Sequence, residues 1–284
     1  MKVVVTGAAG LLGHHVAEAC VRAGYSVTGI DRAPQHAGDW TRISADLTDL
    51  GIAVQLFAGA DAIVHCAAIP RPTGAAPAEV YRVNMAAMYA ATEGARLCGA
   101  GKFVYASSFS VLGYPFAPVF PVPRFLPIDE SHPVGPQDIY GTTKWLGEEL
   151  VESYVRQKLF SAVSLRMPWI QTPESFARDI GLRRKTREAR ADLWAYLDAR
   201  DAAAAFIGAL NREGDGHVRC YLSAADTYSE TPTRELIAEA FDGPITMKMN
   251  IDGHSSLIDT SLAKRELGFE PRHSWRDYPE SGEK

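Results

Sequence analysis

Hydrophobic positions in the first half of the chain alternate between two periods. Short runs rich in β-branched residues recur at 2–6, 26–30, 62–66, 102–106 and 161–165, and a weaker run at 41–45 reads as an edge strand. Between them, apolar residues return at helical spacing, first through Leu12, Val16, Ala19 and Cys20, then over 77–98 and over 140–157. Repeated strand–helix units of this kind predict an α/β fold: a doubly wound parallel sheet with helices on both faces and right-handed crossovers. A ligand crevice is then expected along the carboxyl ends of the strands, near Thr6, Asp31, Cys66, Ser107 and Arg166.

Two stretches depart from this rhythm. Residues 114–138 are proline-rich (FAPVFPVPRFLP) and longer than a simple connection needs. Phe116, Val119, Phe120, Phe125 and Leu126 interleave with the prolines, which predicts a packed lid rather than a loose linker. Beyond residue 168 the pattern loosens. Helices are predicted over 201–211, 232–241 and 261–267, and short strands over 217–222 and 245–249. The expected division is a sheet domain over 1–167 and a small lobe over 168–284, partly interleaved with the sheet.

Composition narrows the class without naming it. The 284 residues are 46% hydrophobic and 22% charged, with a formal net charge of −5. Such a balance gives no electrostatic reason to expect nucleic acid or an anionic membrane as partner. No apolar run approaches a bilayer span, and the N-terminus enters a strand without a leader pattern, so a cytoplasmic protein is expected. Cys20, Cys66, Cys98 and Cys220 are scattered, which predicts buried thiols and no metal site.

Chemistry enters with the first turn. Gly7, Gly10 and Gly13 lie between a strand and a helix, where unpaired N–H groups, those of Leu11 and Leu12 among them, and the positive helix end face an anion. Small residues there let a pyrophosphate approach the backbone. Asp31 ends the next strand at the distance expected of an acid that bonds the adenosine ribose hydroxyls, favouring NAD over NADP. Arg32 beside it could receive a 2′-phosphate, so NADP stays open.

Tyr140 and Lys144 stand four apart at the start of a predicted helix and share one face. An ammonium beside a phenol stabilises the tyrosinate and is expected to lower its pKa, as general acid/base work requires. At the end of the strand over 102–106, the hydroxyls of Ser107, Ser108 and Ser110 could hold a substrate oxygen against that phenol.

In this order the motifs resemble the short-chain dehydrogenase/reductase superfamily, in its extended branch, the NAD-dependent epimerase/dehydratase family. TGAAGLLG resembles the family's TGxxGxxG, His65-Cys-Ala-Ala68 its HxAA, and Ser107-Ser-Phe-Ser-Val-Leu-Gly113 its SSxxVYG; Pro127-Ile-Asp-Glu130 and Glu266-Leu-Gly-Phe-Glu-Pro271 fit as well. The resemblance implies a Rossmann-type sheet, NAD as cofactor and a homodimer through the helices around 80–98 and 140–157. It further implies Ser108, Tyr140 and Lys144 as catalytic residues, and cofactor contacts from Asp46, Leu47, Ala67, Ala68 and Asn84, with Lys144 on the nicotinamide ribose.

Departures from the family pattern shape the substrate expectation. Phe109-Ser110 stands where sugar-nucleotide dehydratases carry an Asp-Glu pair, so dehydration is not expected. Trp194 stands where epimerases have a diphosphate-binding arginine, and Arg166-Met-Pro-Trp-Ile lacks the asparagine that commonly holds the substrate. A basic run, Arg183, Arg184, Lys185, Arg187 and Arg190, could grip a diphosphate but reads more simply as a solvated face. Arg71, Phe109, Ser110 and Trp169 are candidate substrate contacts. The expected activity is an oxidoreductase that moves a hydride to or from a hydroxyl or ketone carbon of a small sugar-like molecule. The alternatives are an epimerase that retains NAD and a dinucleotide-binding protein without turnover.

Overall fold

The computed structural model of the protein describes residues 1–180 and 187–278. In chain order its strands are β1 (Lys2–Thr6), β2 (Ser26–Asp31), β3 (Thr41–Ser44), β4 (Ala62–His65), β5 (Lys102–Ser108), β6 (Phe125–Leu126), β7 (Ser161–Met167), β8 (Trp169–Gln171), β9 (Tyr196–Asp198), β10 (His217–Tyr221) and β11 (Thr246–Met247). The main helices are α1 (Leu11–Arg22), α2 (Leu50–Phe57), α3 (Pro77–Cys98), α4 (Ile139–Arg156), α5 (Ala199–Asn211), α6 (Thr233–Ala240) and α7 (Ser261–Leu267).

Seven strands form one parallel sheet in the order β10-β7-β5-β4-β1-β2-β3. The pleat sorts β1 between two layers, as side chains on a strand must. Val3 and Val5 pack with Val16, Ala17 and Phe206 beneath α1 and α5. Val4 packs with Phe57, Met88 and Tyr154 beneath α2, α3 and α4. Because β1 pairs with β2 on one side and β4 on the other, the chain changes direction across the sheet at β1. Register levels Thr6 with Ile30 and with His65, which opens a crevice above that switch point.

Several elements lie outside the sequence pattern. Helix α2 (LGIAVQLF) is apolar almost throughout, so no period marks it; Asp49 starts it by accepting from Ile52 N at 3.1 Å. β6, β8 and β9 are two or three residues long, too short for any period to show. β8 pairs in parallel with β9, Trp169 opposite Tyr196, and β6 pairs with β11, Phe125 opposite Thr246. The strand predicted over 245–249 is only Thr246–Met247.

The proline-rich segment is anchored rather than packed along its length. Tyr114 and Leu126 are buried, and the Phe120 ring stacks 5.9 Å from that of Phe241. Val119, by contrast, is 74% exposed, and Phe116 and Val122 are exposed as well. A third apolar cluster joins Phe109, Tyr114 and Leu126 to Trp194, Tyr196, Tyr221 and Tyr228. Its Phe109 also lines the crevice.

Candidate active site

A single crevice of about 790 Å³ follows the strand ends from β2 across β1, β4 and β5 to β7. At its β1 end the turn is built for close approach. Gly7 has φ +72°, and a Cβ there would sit 2.7 Å from Ala67 N; a Cβ on Gly13 would collide with the Gly7 carbonyl. Gly10 is the N-cap of α1, and no side chain caps that helix, so its first-turn amides at Leu11 and Leu12 face the crevice uncapped. This cradle fits a pyrophosphate.

Asp31 and Arg32 both line the crevice at the end of β2. The Asp31 carboxylate accepts from Ala9 N (3.0 Å) and Ala33 N (2.9 Å), which ties the glycine turn to the strand end. Asp46 and Leu47 follow β3. A bond from Thr48 N to Asp46 Oδ1 at 2.9 Å holds that carboxyl below its ordinary pKa. Ala67 and Ala68 line the β4 end beside Gly7. Ala67 N donates to Thr6 Oγ1 (3.2 Å), which lies 2.9 Å from His65 Nδ1. Burial holds that imidazole down to about 3, hence neutral.

Asn84 departs from its expected place. It does not line the crevice: its Oδ1 accepts from Ile69 N (2.7 Å) and its Nδ2 donates to Ile69 O and Thr143 Oγ1. Both ends of the amide are committed to protein. Asn84 therefore positions the loop after β4 and ties it to α4.

At the β5 end Ser108, Tyr140 and Lys144 converge, all buried and all lining the crevice. Asp138 starts α4 by accepting from Gly141 N at 2.9 Å, and this puts Tyr140 and Lys144 on the helix's inner face. Lys144 Nζ donates to Ala106 O at 2.7 Å and lies 5.7 Å from the Tyr140 ring centroid and 5.0 Å from that of Tyr105. Burial pulls Lys144 down to about 8.

The Tyr140 pKa runs against expectation. Burial pushes the phenol up to about 12, and the Ser108 hydroxyl bonded to it only partly offsets this; Asp138 adds to the rise. Desolvation of the phenolate is the larger effect here and sets the sign of the net shift.

Adjacent serines diverge because β5 alternates its side chains. Both serines line the crevice, but Ser107 Oγ donates to the buried Glu148 Oε1 at 2.5 Å, while Ser108 meets Tyr140 and accepts from Ser110 N at 3.0 Å. Glu148 is gripped by Arg166 through Nε (2.9 Å) and Nη2 (2.7 Å), and Arg166 Nη1 donates to Tyr221 Oη. The sequence carries a signal for Glu148, since it extends the spacing of Tyr140 and Lys144 by another four residues.

The lining also includes Phe109, Ser110, Trp169 and Asp192, together with Arg71 and Phe116. All four expected substrate contacts thus face one cavity. Asp192 has no sequence signal, because only the β8–β9 pairing brings its turn alongside Trp169. Trp194 is buried in the third cluster. Arg183, Arg184 and Lys185 lie outside the described residues, as does the Arg187 side chain. Arg190 stacks 5.0 Å over Phe120 and does not line the crevice.

A switch-point crevice with a glycine cradle at one end and a buried Ser–Tyr–Lys group at the other defines an enzyme of the short-chain dehydrogenase/reductase type. The chain belongs to the NAD dependent epimerase/dehydratase family, whose model matches residues 3–220. It is 27% identical to an L-arabinose 1-dehydrogenase (NAD(P)(+)) of Haloferax volcanii, over 95% of this chain and 96% of that one. It is 26% identical to a UDP-glucose 4-epimerase of Corynebacterium glutamicum, over 96% and 92%. A short-chain dehydrogenase/reductase superfamily protein from Agrobacterium tumefaciens, solved with bound NAD, superposes with a TM-score of 0.75 at 25% identity, covering 97% of this chain and 94% of that one.

Proposed function

We propose that the protein is an NAD(P)-dependent oxidoreductase that moves a hydride to or from a hydroxyl or ketone carbon of a sugar-like small molecule, with Tyr140 as acid/base. The observation that carries this reading is the convergence of Ser108, Tyr140 and Lys144 in the same crevice as the Gly7–Gly13 cradle. The family match and the full-length likeness to a sugar dehydrogenase agree with it. A protein that only bound the dinucleotide would gain nothing from burying a phenol and an ammonium together.

When bound, NAD supplies the hydride acceptor, or in its reduced form the donor. Gly7, Gly10, Leu11, Leu12 and Gly13 hold the pyrophosphate, and Asp31 the adenosine ribose, with Arg32 at the edge of that pocket. Asp46, Leu47, Ala67 and Ala68 line the remaining path, and Lys144 reaches the nicotinamide ribose. Ser108 Oγ holds the substrate oxygen, and Tyr140 Oη gives or takes its proton. At neutral pH the raised Tyr140 pKa keeps the phenol protonated, ready to act as an acid toward a carbonyl. In the oxidative direction the Lys144 charge makes the tyrosinate attainable.

A second reading, epimerisation with NAD retained, is favoured by the full-length likeness to a UDP-glucose 4-epimerase. We further propose that residues 1–167 serve as the dinucleotide-binding part and 168–284 as the substrate lobe. The protein is proposed to be cytoplasmic and a homodimer through α3 and α4; α3 leaves Tyr81 and Tyr89 nearly half exposed. Among the described residues no helix is long and apolar enough to cross a membrane.

The test is spectrophotometric. Protein is offered NAD with neutral sugars, sugar acids and sugar nucleotides. Net NADH supports the dehydrogenase, and inverted product without net NADH overturns it in favour of the epimerase.

A further inference from the structure

Lys144 is only 4% exposed, yet its ammonium has three N–H groups to place. Among the described residues it makes one hydrogen bond, to Ala106 O at 2.7 Å. Its other close contacts are aromatic: Nζ lies over the Tyr105 ring, 5.0 Å from the centroid, and over the Tyr140 ring at 5.7 Å. Tyr140 is the proposed acid/base, so Tyr105 is both the closer face and the one with no part in the proton transfer. A ring face stabilises a cation most where water is excluded, and Tyr105 is as buried as Lys144.

The ring is fixed from two strands and a helix. β5 pairs with β4 so that Tyr105 stands opposite His65, whose imidazole stacks on it at 6.0 Å and 20°. Tyr105 directly precedes Ala106, so one stretch of β5 supplies both the ring and the carbonyl that Lys144 meets. On α4 the residue against the phenol is a buried glycine, although glycine weakens a helix interior. A Cβ on Gly147 would sit 2.5 Å from Tyr105 Oη and 2.8 Å from Cζ. The missing side chain makes room for the ring.

Five titratable groups face Lys144: Tyr140 and Glu148 on its own helix, Tyr105 on β5, and His65 and Cys66 at the end of β4. Glu148 is ion-paired with Arg166. Burial holds His65 down to about 3, pushes Cys66 and Tyr140 up to about 12, and raises Tyr105 well above the usual phenol range. Loss of the Lys144 charge is therefore the titration to follow around pH 8.

We propose that Tyr105 is a positioning residue for the reaction: its ring, fixed by His65 and Gly147, keeps the Lys144 ammonium charged and beside Tyr140. The consequence for turnover rests on the oxidoreductase reading; the charge on Lys144 is read without turnover.

Tyr105→Phe keeps the ring, Tyr105→Leu removes it while filling the core, and Gly147→Ala presses on it from α4. Full-length proteins with 13C-labelled lysine are titrated by NMR, with Lys144→Met identifying the Lys144 signal, and NADH formation is followed over the same pH range. In Tyr105→Leu the Lys144 titration point moves down by about one pH unit, and the pH at which oxidation levels off falls with it. Tyr105→Phe keeps both within about 0.3 of a pH unit. Gly147→Ala moves them in the direction of Tyr105→Leu and adds nothing further in the double variant. A merely structural ring would lower stability or kcat and leave the titration point in place. A Lys144 titration point in Tyr105→Leu within about 0.3 of the original overturns the assignment, as does an equal fall in Tyr105→Phe. If Tyr105→Leu does not fold, Gly147→Ala decides, and an unmoved Lys144 signal there overturns the assignment. If no sugar yields NADH, the oxidoreductase reading fails, and the Lys144 titration still decides the role of Tyr105.

Discussion

Ser107 and Ser108 are neighbours in sequence and belong to different networks: Ser107 Oγ donates to the buried Glu148 at 2.5 Å, whereas Ser108 is bonded to Tyr140 in the crevice. One serine is tied to scaffold and the other to chemistry, by nothing more than the alternation of a strand.

The two alanine variants are therefore expected to fail in different ways. Ser108→Ala should lower kcat/KM by about 10²–10³, the usual cost of losing a donor at a reacting oxygen, with little change in the urea midpoint. Ser107→Ala should keep most of the activity and lose about 1–3 kcal/mol of stability, because Glu148 gives up a buried hydrogen bond. Reversed outcomes would show the wrong serine has been placed at the reaction.

Glu148 and Arg166 form an ion pair in which neither side chain is more than 5% exposed. Glu148→Ala leaves Arg166 buried and uncompensated, and should cost about 3–5 kcal/mol in denaturant unfolding. Glu148→Leu combined with Arg166→Leu should recover much of that loss. A double variant no more stable than Glu148→Ala would mean that the pair is needed for more than mutual neutralisation.

Proton transfer at Tyr140 predicts a pH dependence with a definite sign. Oxidation needs the tyrosinate, so its rate should rise with pH from 6 and level near 8, where Lys144 begins to lose its charge. Reduction needs the phenol and should stay flat through neutrality. Lys144→Met should run slower in oxidation at every pH and show no levelling near 8. Tyr140→Phe should abolish turnover while nucleotide binding persists. An oxidation rate that falls between pH 6 and 8 would remove Tyr140 from the role of base.

Acid stability should be governed by buried histidines. His217, whose side chain is 1% exposed, lies 2.8 Å from Ser164 Oγ and 3.0 Å from Glu152. Burial, helped by Arg219, holds it down to about 4, and burial holds His65 down to about 3. Each binds a proton in the unfolded chain before it does so in the folded one. Their stabilising contribution is complete above pH 6.5 and is lost as pH falls toward 4 and 3, at about 1.4 kcal/mol per pH unit for each group. His217→Gln should flatten the fall in stability between pH 6.5 and 4 by about one such slope, read from urea midpoints across that range. An unchanged slope would show that His217 takes up no proton on unfolding.

The alternation of strand and helix was legible in the sequence because a parallel sheet buries both faces of its strands and one stripe of each helix. The glycine spacing, Asp31 and the Tyr140–Lys144 spacing were legible too, since each is local and sits at a predicted strand end or helix start. Helix α2 escaped because a helix apolar on all sides carries no period. The sign of the Tyr140 shift escaped for another reason: desolvation depends on everything packed around the phenol, not on its neighbour four residues away.

By itself, then, the sequence determined the order of the elements and the local chemistry at their ends, because backbone geometry and side-chain period act over a few residues. Only the tertiary structure decided that Ser107 serves Glu148, that the Asn84 amide is committed to Ile69 and Thr143, and that Asp192 enters the crevice. Those outcomes depend on strand register and on burial, which join residues far apart in the chain.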